Sequence, residues 1–296
     1  MSTRTTRRAI GFALLSAVLY ALYPPLAKLL VVSAAPAILS ALLYFGTGLG
    51  MTALLPLIHR TKGHQQETSL GRHDLPALIV MIIANVLAGV LMNMGIQLTS
   101  AGNISLLGNF EIVATTLLAQ TLFHERVSHR LSWAIVIVTA ASLLLSFNDF
   151  NQFSLSWGSI LALLATVCWG FENNLTRVLS NKDPLQVVIV KGWGVGIGSL
   201  LVALTLGEKW PPFWTVVDLL LLGFFAFGIS IYFYILAQRY LGAAKTSAYY
   251  AVSPFVAVLI SILFLRESIT IPFIVALLLM IIGSVLITQD SLKQPE

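Results

Sequence analysis

Four charged residues interrupt otherwise apolar stretches of the sequence and are the first candidates for chemistry. Glu111, Glu172, Lys28 and Lys191 each lie within a run of predominantly apolar residues. A charged side chain at the centre of a bilayer costs about 2.5–3.5 kcal/mol on insertion scales, so it normally faces a partner or a water-filled cavity. If the apolar runs are membrane spans, these four residues mark a pathway through the membrane.

The two carboxylates are expected to differ in role. Glu172 and Lys191 lie at similar depth in neighbouring runs, so an ion pair between them is the simplest interpretation. Glu111 has no opposite charge expected at its depth, which makes it the best candidate for a carboxylate that titrates or binds a cation. Two alternatives stay open for Glu111: a structural hydrogen bond, for example to Asn93 or Asn109, or a protonated neutral form, because burial disfavours the charged form.

Aromatic and polar side chains share helical faces in the same runs. Trp169, Glu172 and Asn173 follow i, i+3, i+4 spacing, which places them on one face of a helix. Such a face suits an amphipathic solute such as an amino acid, although packing is the alternative role for any one aromatic ring. The candidate substrate-binding residues are Tyr20, Tyr23, Asn93, Asn109, Glu111, Trp169, Glu172, Asn173 and Tyr250.

Prolines and glycines in the runs suggest moving parts. A proline inside a helix removes a hydrogen bond and kinks the axis, and the freed carbonyls can line a cavity. The candidate ion-pair or gating residues are therefore Lys28, Lys191, Pro24 and Pro254. Glycines at small-xxx-small spacing, 46–50 in one run and 192–198 in another, predict close helix approach and a sliding contact.

The composition places these runs in a membrane. Of 296 residues, 57% are hydrophobic and 10% are charged, whereas an ordinary soluble domain carries about 25% charged residues. The net charge of +5 comes mostly from residues in short segments between the apolar runs, which is typical of orientation by the positive-inside rule. The sequence has no basic stripe or recognisable nucleic-acid-binding motif, so we expect no nucleic-acid partner.

Ten apolar segments approach the length of about 20 residues that a membrane-spanning helix needs. They are roughly Arg8–Val32, Pro36–Ile58, Leu75–Leu98, Ala101–Phe123, Leu131–Phe147, Trp157–Leu179, Leu185–Leu206, Trp214–Tyr240, Ala243–Leu265 and Ile271–Thr288. With the N-terminus inside, Lys209 and Arg266 are the only lysine and arginine residues between the predicted spans that face outward. The sequence therefore predicts an all-α polytopic protein of the cell inner (plasma) membrane, with about ten transmembrane helices and both termini cytoplasmic.

The two halves of the sequence align with each other. Residues 100–128 match residues 242–270 without a gap, and Glu125 lies over Glu267. Each half has five spans, and because five is odd, the second half must cross the membrane in the opposite sense, as in many secondary transporters. The two predicted inverted repeats are residues 1–150 and 151–296.

The sequence Leu241–Ile287 resembles the C-terminal signature of the EamA-type branch of the drug/metabolite transporter superfamily. Small residues open the ninth helix, Pro254 follows, and Glu267 lies at its far end. The first half carries a weaker copy, with Glu125 retained and Ile112 in place of the proline. The resemblance covers essentially the whole chain. It implies ten helices in two inverted five-helix repeats and a central cavity lined mainly by helices 1, 3, 4, 6, 8 and 9.

The expected function is secondary transport. The solute is a small organic metabolite, either amino acid-like or an amphipathic drug, exported by alternating access, and proton antiport through Glu111 is one coupling mechanism. The alternative within the superfamily is exchange of nucleotide sugars or phosphate esters. Those anions require cationic clamps, and only Lys28 and Lys191 are placed to serve. The partners are the solute and the lipid bilayer, and the protein is expected to be a monomer or a homodimer.

We expect neither an enzyme nor a cofactor or metal site. An intramembrane lipid-modifying enzyme would need an intramembrane histidine, a pair of carboxylates at metal-ligand spacing, or a nucleophile with a base. All five histidines lie in segments assigned to the cytoplasmic side. His124 and His129 resemble a zinc-protease motif, but they are five residues apart, whereas both imidazoles share a helical face at a spacing of four.

Overall fold

The computed structural model describes residues 3–61, 68–123, 128–149, 154–179, 182–241, 246 and 249–293, and most of them are helical. The α-helices are α1 (Thr3–Ala21), α2 (Tyr23–Leu30), α3 (Pro36–Thr61), α4 (Leu75–Leu98), α5 (Ala101–Leu107), α6 (Phe110–Phe123), α7 (His129–Ser146), α8 (Trp157–Val178), α9 (Pro184–Thr205), α10 (Phe213–Gly223), α11 (Ser230–Leu241), α12 (Ser253–Leu265) and α13 (Ile271–Lys293). The remaining elements are the 3₁₀ turn Arg72–Asp74, the π-helical segment Phe224–Ile229, and the antiparallel strands β1 (Phe147–Asp149) and β2 (Ser154–Leu155). Glu125 and His124 lie outside the described residues, as does Ala243.

The helices belong to a membrane protein. Within the described residues, six helical segments are long and apolar enough to cross a bilayer, and they match predicted spans 1, 2, 3, 7, 8 and 10. The other four predicted spans are helical but shorter, interrupted or more polar. Large apolar side chains lie on the outer surface: Trp214, Leu263 and Phe264 are 74%, 72% and 79% exposed. This surface suits lipid, and the predicted fold class, an all-α polytopic membrane protein, is confirmed.

Two glycines bring α3 and α9 into direct backbone contact. A Cβ atom added to Gly192 would lie 2.5 Å from the backbone nitrogen of Gly48 and 2.7 Å from its Cα atom. Real Cβ atoms do not approach backbone so closely, so the contact requires glycine. The predicted close approach of these two helices is confirmed. The sliding motion stays a prediction.

Replacing Gly192 with valine is expected to lower the free energy of unfolding by about 1–3 kcal/mol or more, because the new side chain overpacks a contact that cannot widen locally. Gly11→Val in α1 is the matched control, since nothing lies within 4 Å of a Cβ at Gly11. The measurement is the thermal unfolding midpoint of both variants in the same detergent. Equal midpoints for both would contradict the packing argument.

Helices at equivalent positions in the two halves make equivalent contacts. The helix α4 packs against α8, and α11 packs against α1. These two pairs are equivalent, because α1 and α8 belong to the first span of each half while α4 and α11 belong to the third. The pairs α3 with α9 and α7 with α13 each join equivalent spans. Such an arrangement is expected for two related halves. The boundary at residue 150 stays a prediction.

Three spans are interrupted along their length. The first breaks at Leu22, directly before Pro24–Pro25 in the first turn of α2. The ninth turns at residues 251–252, directly before Pro254 in the first turn of α12. Both breaks agree with the predicted proline kinks. The fourth span breaks at residues 108–109, where the sequence has no proline to announce it.

Candidate functional site

The interrupted spans surround a cavity between the two halves. It contains about 600 Å³ of empty space, part of it open to solvent. Among the residues predicted from the sequence, those that line it are Tyr20, Tyr23, Pro24, Asn109, Glu111, Trp169, Tyr250 and Pro254. Five predicted residues are not in the lining: Asn93, Glu172, Asn173, Lys28 and Lys191.

Several lining residues were not predicted, although the repeat could have identified them. The unpredicted residues are Ala21, Met92, Ile104, Ser105, Gly108, Ile112, Ala251, Ser253 and Ala257. In the ungapped alignment Glu111 lies over Ser253 and Ile112 lies over Pro254, and all four line the cavity. Equivalent positions of the two halves thus contribute to one site. A search for the repeat partner of each candidate would have found Ser253 and Ile112.

Aromatic rings form one wall of the cavity. The ring centroid of Tyr20 lies 6.1 Å from that of Tyr23 and 5.8 Å from that of Tyr250. Phe227, in the π-helical segment, packs on Tyr20 and Tyr23 at 5.9 and 4.9 Å. The resemblance implied that the eighth span also lines the cavity. Among the described lining residues none comes from that span, and Phe227 supports the rings instead.

Asn93 orients one of these rings. The hydroxyl group of Tyr23 donates a hydrogen bond of 2.7 Å to Oδ1 of Asn93, and both side chains are buried. Asn93 was predicted to bind substrate. The structure places it behind Tyr23, so it acts on the cavity through the tyrosine.

Glu111 is bonded to the opposite half of the chain. Its Oε1 atom accepts a hydrogen bond of 2.6 Å from Nδ2 of Asn173 in α8. The sequence suggested Asn93 or Asn109 as a partner, and neither holds this bond. Among the described residues no cation forms an ion pair with Glu111.

Glu172 and Lys191 form the predicted ion pair. Lys191 Nζ lies 3.2 Å from Glu172 Oε1, and the two side chains are 11% and 4% exposed. The hydroxyl group of Thr176 donates to the same carboxylate oxygen. The pair joins α8 to α9, and Glu172 therefore has a structural role away from the cavity.

Lys28 binds the end of a helix. Its ammonium group donates to the carbonyl oxygens of Ile96 and Thr99, both at 2.6 Å. A cation is favourable at the carbonyl end of a helix, here the end of α4. The ammonium group of Lys28 is thus hydrogen-bonded to backbone carbonyl groups within the protein.

Carboxylates connect the halves at the end of the bundle where α3 and α5 begin. Glu267 accepts hydrogen bonds of 2.6 and 2.8 Å from the backbone N–H groups of Ala101 and Gly102 at the start of α5. Glu208 accepts from the N–H groups of two residues at the start of α3, at 3.2 and 2.8 Å. Helix N-termini favour anions. Each contact joins the second half to the first.

Different contacts connect the halves at the opposite end. Lys182 Nζ lies 3.0 Å from Asp74 Oδ2, and the side chain of Gln186 accepts a hydrogen bond of 3.0 Å from the N–H group of Leu70. The two halves are thus joined at both ends of the bundle by separate sets of contacts. The cavity lies between them.

The fold and the cavity define a class: polytopic α-helical membrane proteins with a cavity between two related halves. The chain belongs to the EamA-like transporter family, whose sequence model matches residues 7–147 and again residues 156–289.

Similar proteins agree with this membership. The chain is 28% identical over 210 residues to an uncharacterized transporter of Methanothermobacter thermautotrophicus, covering 69% of this chain and 61% of that protein. It is 23% identical over 198 residues to the uncharacterized inner membrane transporter YedA of Escherichia coli K12, covering 64% of each. The aligned region thus spans less than two thirds of the length of either relative. A solved crystal structure superposes over the whole of both chains with a TM-score of 0.67 at 18% identity, which shows the fold.

Proposed function

We propose that this membrane transporter is a secondary carrier that exports small amine-bearing organic metabolites, amino acid-like solutes or amphipathic drugs, by alternating access. The observation that carries the proposal is the charge of the cavity. Glu111 is the one charged side chain among its described lining residues, and aromatic rings form a wall beside it. A carboxylate binds an ammonium group by a charge-assisted hydrogen bond, and aromatic faces attract cations.

Exchange of nucleotide sugars or phosphate esters is less well supported. Such anions need cationic groups at the site, and no lysine, arginine or histidine is among the described lining residues. The two intramembrane lysines that could have served are committed elsewhere: Lys28 to backbone carbonyl groups and Lys191 to Glu172. Freeing Lys191 would leave the buried Glu172 carboxylate without its counter-charge. Freeing Lys28 would break its hydrogen bonds to Ile96 and Thr99.

The paired contacts at the two ends of the bundle support alternating access. The Glu267 and Glu208 contacts cross between the halves at one end, and the Lys182–Asp74 pair crosses at the other. A carrier needs two such sets, one of which breaks while the other holds. Inverted repeats supply them, since exchange of the halves interchanges the two membrane faces.

The membrane orientation completes the proposal. Both termini lie in the cytoplasm of a cell with this protein in its inner (plasma) membrane, because most lysines and arginines between spans then face inward. Glu267 and Glu208 would lie at the outer face. The proton is the proposed coupling ion, through Glu111, and the protein works as a monomer or a homodimer.

Counterflow in liposomes tests the carrier and its substrate class. Purified protein is reconstituted, and uptake of a labelled aromatic amine, aromatic amino acid, sugar phosphate or nucleotide sugar is measured with and without the same unlabelled solute inside. We expect the internal solute to accelerate uptake of the amine and the amino acid, because a carrier returns faster when loaded. Uptake of the phosphate esters alone would refute the substrate class, and uptake without acceleration would refute the carrier mechanism.

A further inference from the structure

Asn109 carries a buried amide beside the cavity, and both polar atoms of that amide lack a hydrogen-bond partner among the described residues. The residue lies in the turn between α5 and α6, is 2% exposed, and is one of the lining residues. Neither its Nδ2 nor its Oδ1 atom has a hydrogen-bond partner among the described residues. Most buried polar side-chain atoms in proteins have a partner, so this amide requires an explanation.

Other buried asparagines in the same bundle are satisfied. Asn85, which is fully buried, donates from Nδ2 to the carbonyl oxygen of Met81 and accepts at Oδ1 from the hydroxyl of Tyr44, both at 3.0 Å. Asn174 donates to the carbonyl oxygens of Thr115 and Gly170 at 3.1 and 2.8 Å. The bundle therefore provides partners for amides whose role is structural. Asn109 differs from them in two ways: it is one of the cavity-lining residues, and its amide has no partner among the described residues.

The interruption of the fourth span positions this amide. The backbone N–H groups of Gly108 and Asn109 bond to the carbonyl oxygens of Ile104 and Leu106, so the turn satisfies its own backbone donors. The Asn109 side chain takes no part in those bonds. It stands two residues before Glu111, which also lines the cavity.

We propose that Asn109 determines specificity by binding an oxygen acceptor that lies next to the amine of the solute. Its Nδ2–H group donates to a carboxylate, carboxamide or hydroxyl oxygen of the solute, and its Oδ1 accepts from the ammonium group whose charge Glu111 balances. This inference rests on the proposed function and deepens it. Amino acids, amino amides and amino alcohols fit the site, whereas amines without a neighbouring oxygen leave the Nδ2–H group of Asn109 unpaired.

A pair of matched solutes isolates this contact. L-Phenylalaninamide and phenethylamine share the ring and the amine and differ by the carboxamide. In reconstituted wild-type protein we expect phenylalaninamide to be taken up with a kcat/KM about tenfold higher, as one or two hydrogen bonds would give. In Asn109→Leu, and in the smaller Asn109→Ala, the ratio is expected to fall to about one through loss of phenylalaninamide uptake, with phenethylamine uptake retained.

Asn85→Ala is the control, because Asn85 is buried, bonded and away from the cavity lining. It is expected to keep the tenfold ratio. A wild-type ratio retained in both Asn109 variants would overturn the inference, and so would equal loss of both solutes in folded protein. If wild-type protein transports neither amine, the proposed function itself fails, which the wild-type assay alone reveals.

The stability of the solute-free protein provides a second, independent measurement. Because the Asn109 amide has no bonds to lose, Asn109→Leu is expected to leave the melting temperature unchanged or to raise it. Asn85→Ala breaks two hydrogen bonds and is expected to lower the melting temperature by about 2–4 °C or more. An equal fall in Asn109→Leu would show that the amide is bonded in the empty protein, and the inference would be wrong.

Discussion

Uptake driven by a pH gradient is expected to disappear when Glu111 is replaced by glutamine. In the proposed mechanism the carboxylate of Glu111 binds either a proton or the amine of the solute, which couples the two fluxes. The glutamine side chain is uncharged, so it can neither take up the proton nor balance the charge of the amine. We therefore also expect the affinity for amines to fall by about 10–100-fold, since hydrogen bonds to charged groups contribute about 1.5–3 kcal/mol. The measurement is uptake of labelled phenylalaninamide into proteoliposomes, with and without an imposed pH gradient.

Counterflow of solute without a gradient is expected to persist in Glu111→Gln at high solute concentration, because the cavity and the moving halves remain. Asp218→Asn is a matched control, because Asp218 is exposed in α10 and is not among the described cavity-lining residues. It should retain the response to the gradient. Uptake by Glu111→Gln that still follows the pH gradient would refute coupling through this residue.

Breaking the ion pair between Glu172 and Lys191 is expected to have the largest effect on stability. Removing one partner of a buried pair leaves an uncompensated buried charge, which typically costs about 3–5 kcal/mol. The Glu172 and Lys191 side chains are only 4% and 11% exposed. Glu172→Leu and Lys191→Met are therefore each expected to lower the folded yield and the thermal unfolding midpoint strongly.

The double variant distinguishes a pair from two independent residues. With both charges removed, no unpaired charge remains, and apolar replacements of similar volume restore much of the lost stability. A double-mutant cycle on unfolding midpoints measures this coupling. Additive losses in the Glu172→Leu/Lys191→Met protein would show that the two groups do not interact. Retention of counterflow in the double variant is expected as well, because neither residue lines the cavity.

The proposed chemistry depends on where the two halves differ. Glu111 lies over Ser253 in the alignment of the halves, and both residues line the cavity. The first half therefore contributes a carboxyl group where the second half contributes a hydroxyl group. Asn109 likewise lies over Ala251, so only the first half presents an amide. The repeat thus supplies a symmetric moving frame, and the substitutions at equivalent positions supply an asymmetric binding site.

Several features of the fold could be predicted because they depend on local chemistry. A proline lacks an N–H group, which favours the breaks before Pro24 and Pro254, although Pro56 lies inside the continuous helix α3. Glycines at small-xxx-small spacing permit backbone contact, and Gly48 meets Gly192. The ion pair was predictable as well, because Glu172 and Lys191 lie at the same depth in consecutive spans and neither charge is stable alone in lipid.

Other features depend on which side chains meet across the bundle. Nothing local identifies Asn173 as the partner of Glu111, because the two residues are 62 positions apart. The break at residues 108–109 lacks a proline, and Lys28 could not be assigned to the end of α4 before that helix was placed beside it. Each of these depends on helix rotation and axial position.

The sequence by itself determined that the protein lies in a membrane, that its helices number about ten, and that its halves repeat. Composition and periodicity are properties of the chain, and lipid imposes the same requirements on every span. The tertiary structure alone decided which polar groups are satisfied and which are not. Asn93 and Asn109 are alike in the sequence, but a tyrosine hydroxyl reaches only one of them. Hydrogen bonding acts over about 3 Å, and only the folded chain sets distances on that scale.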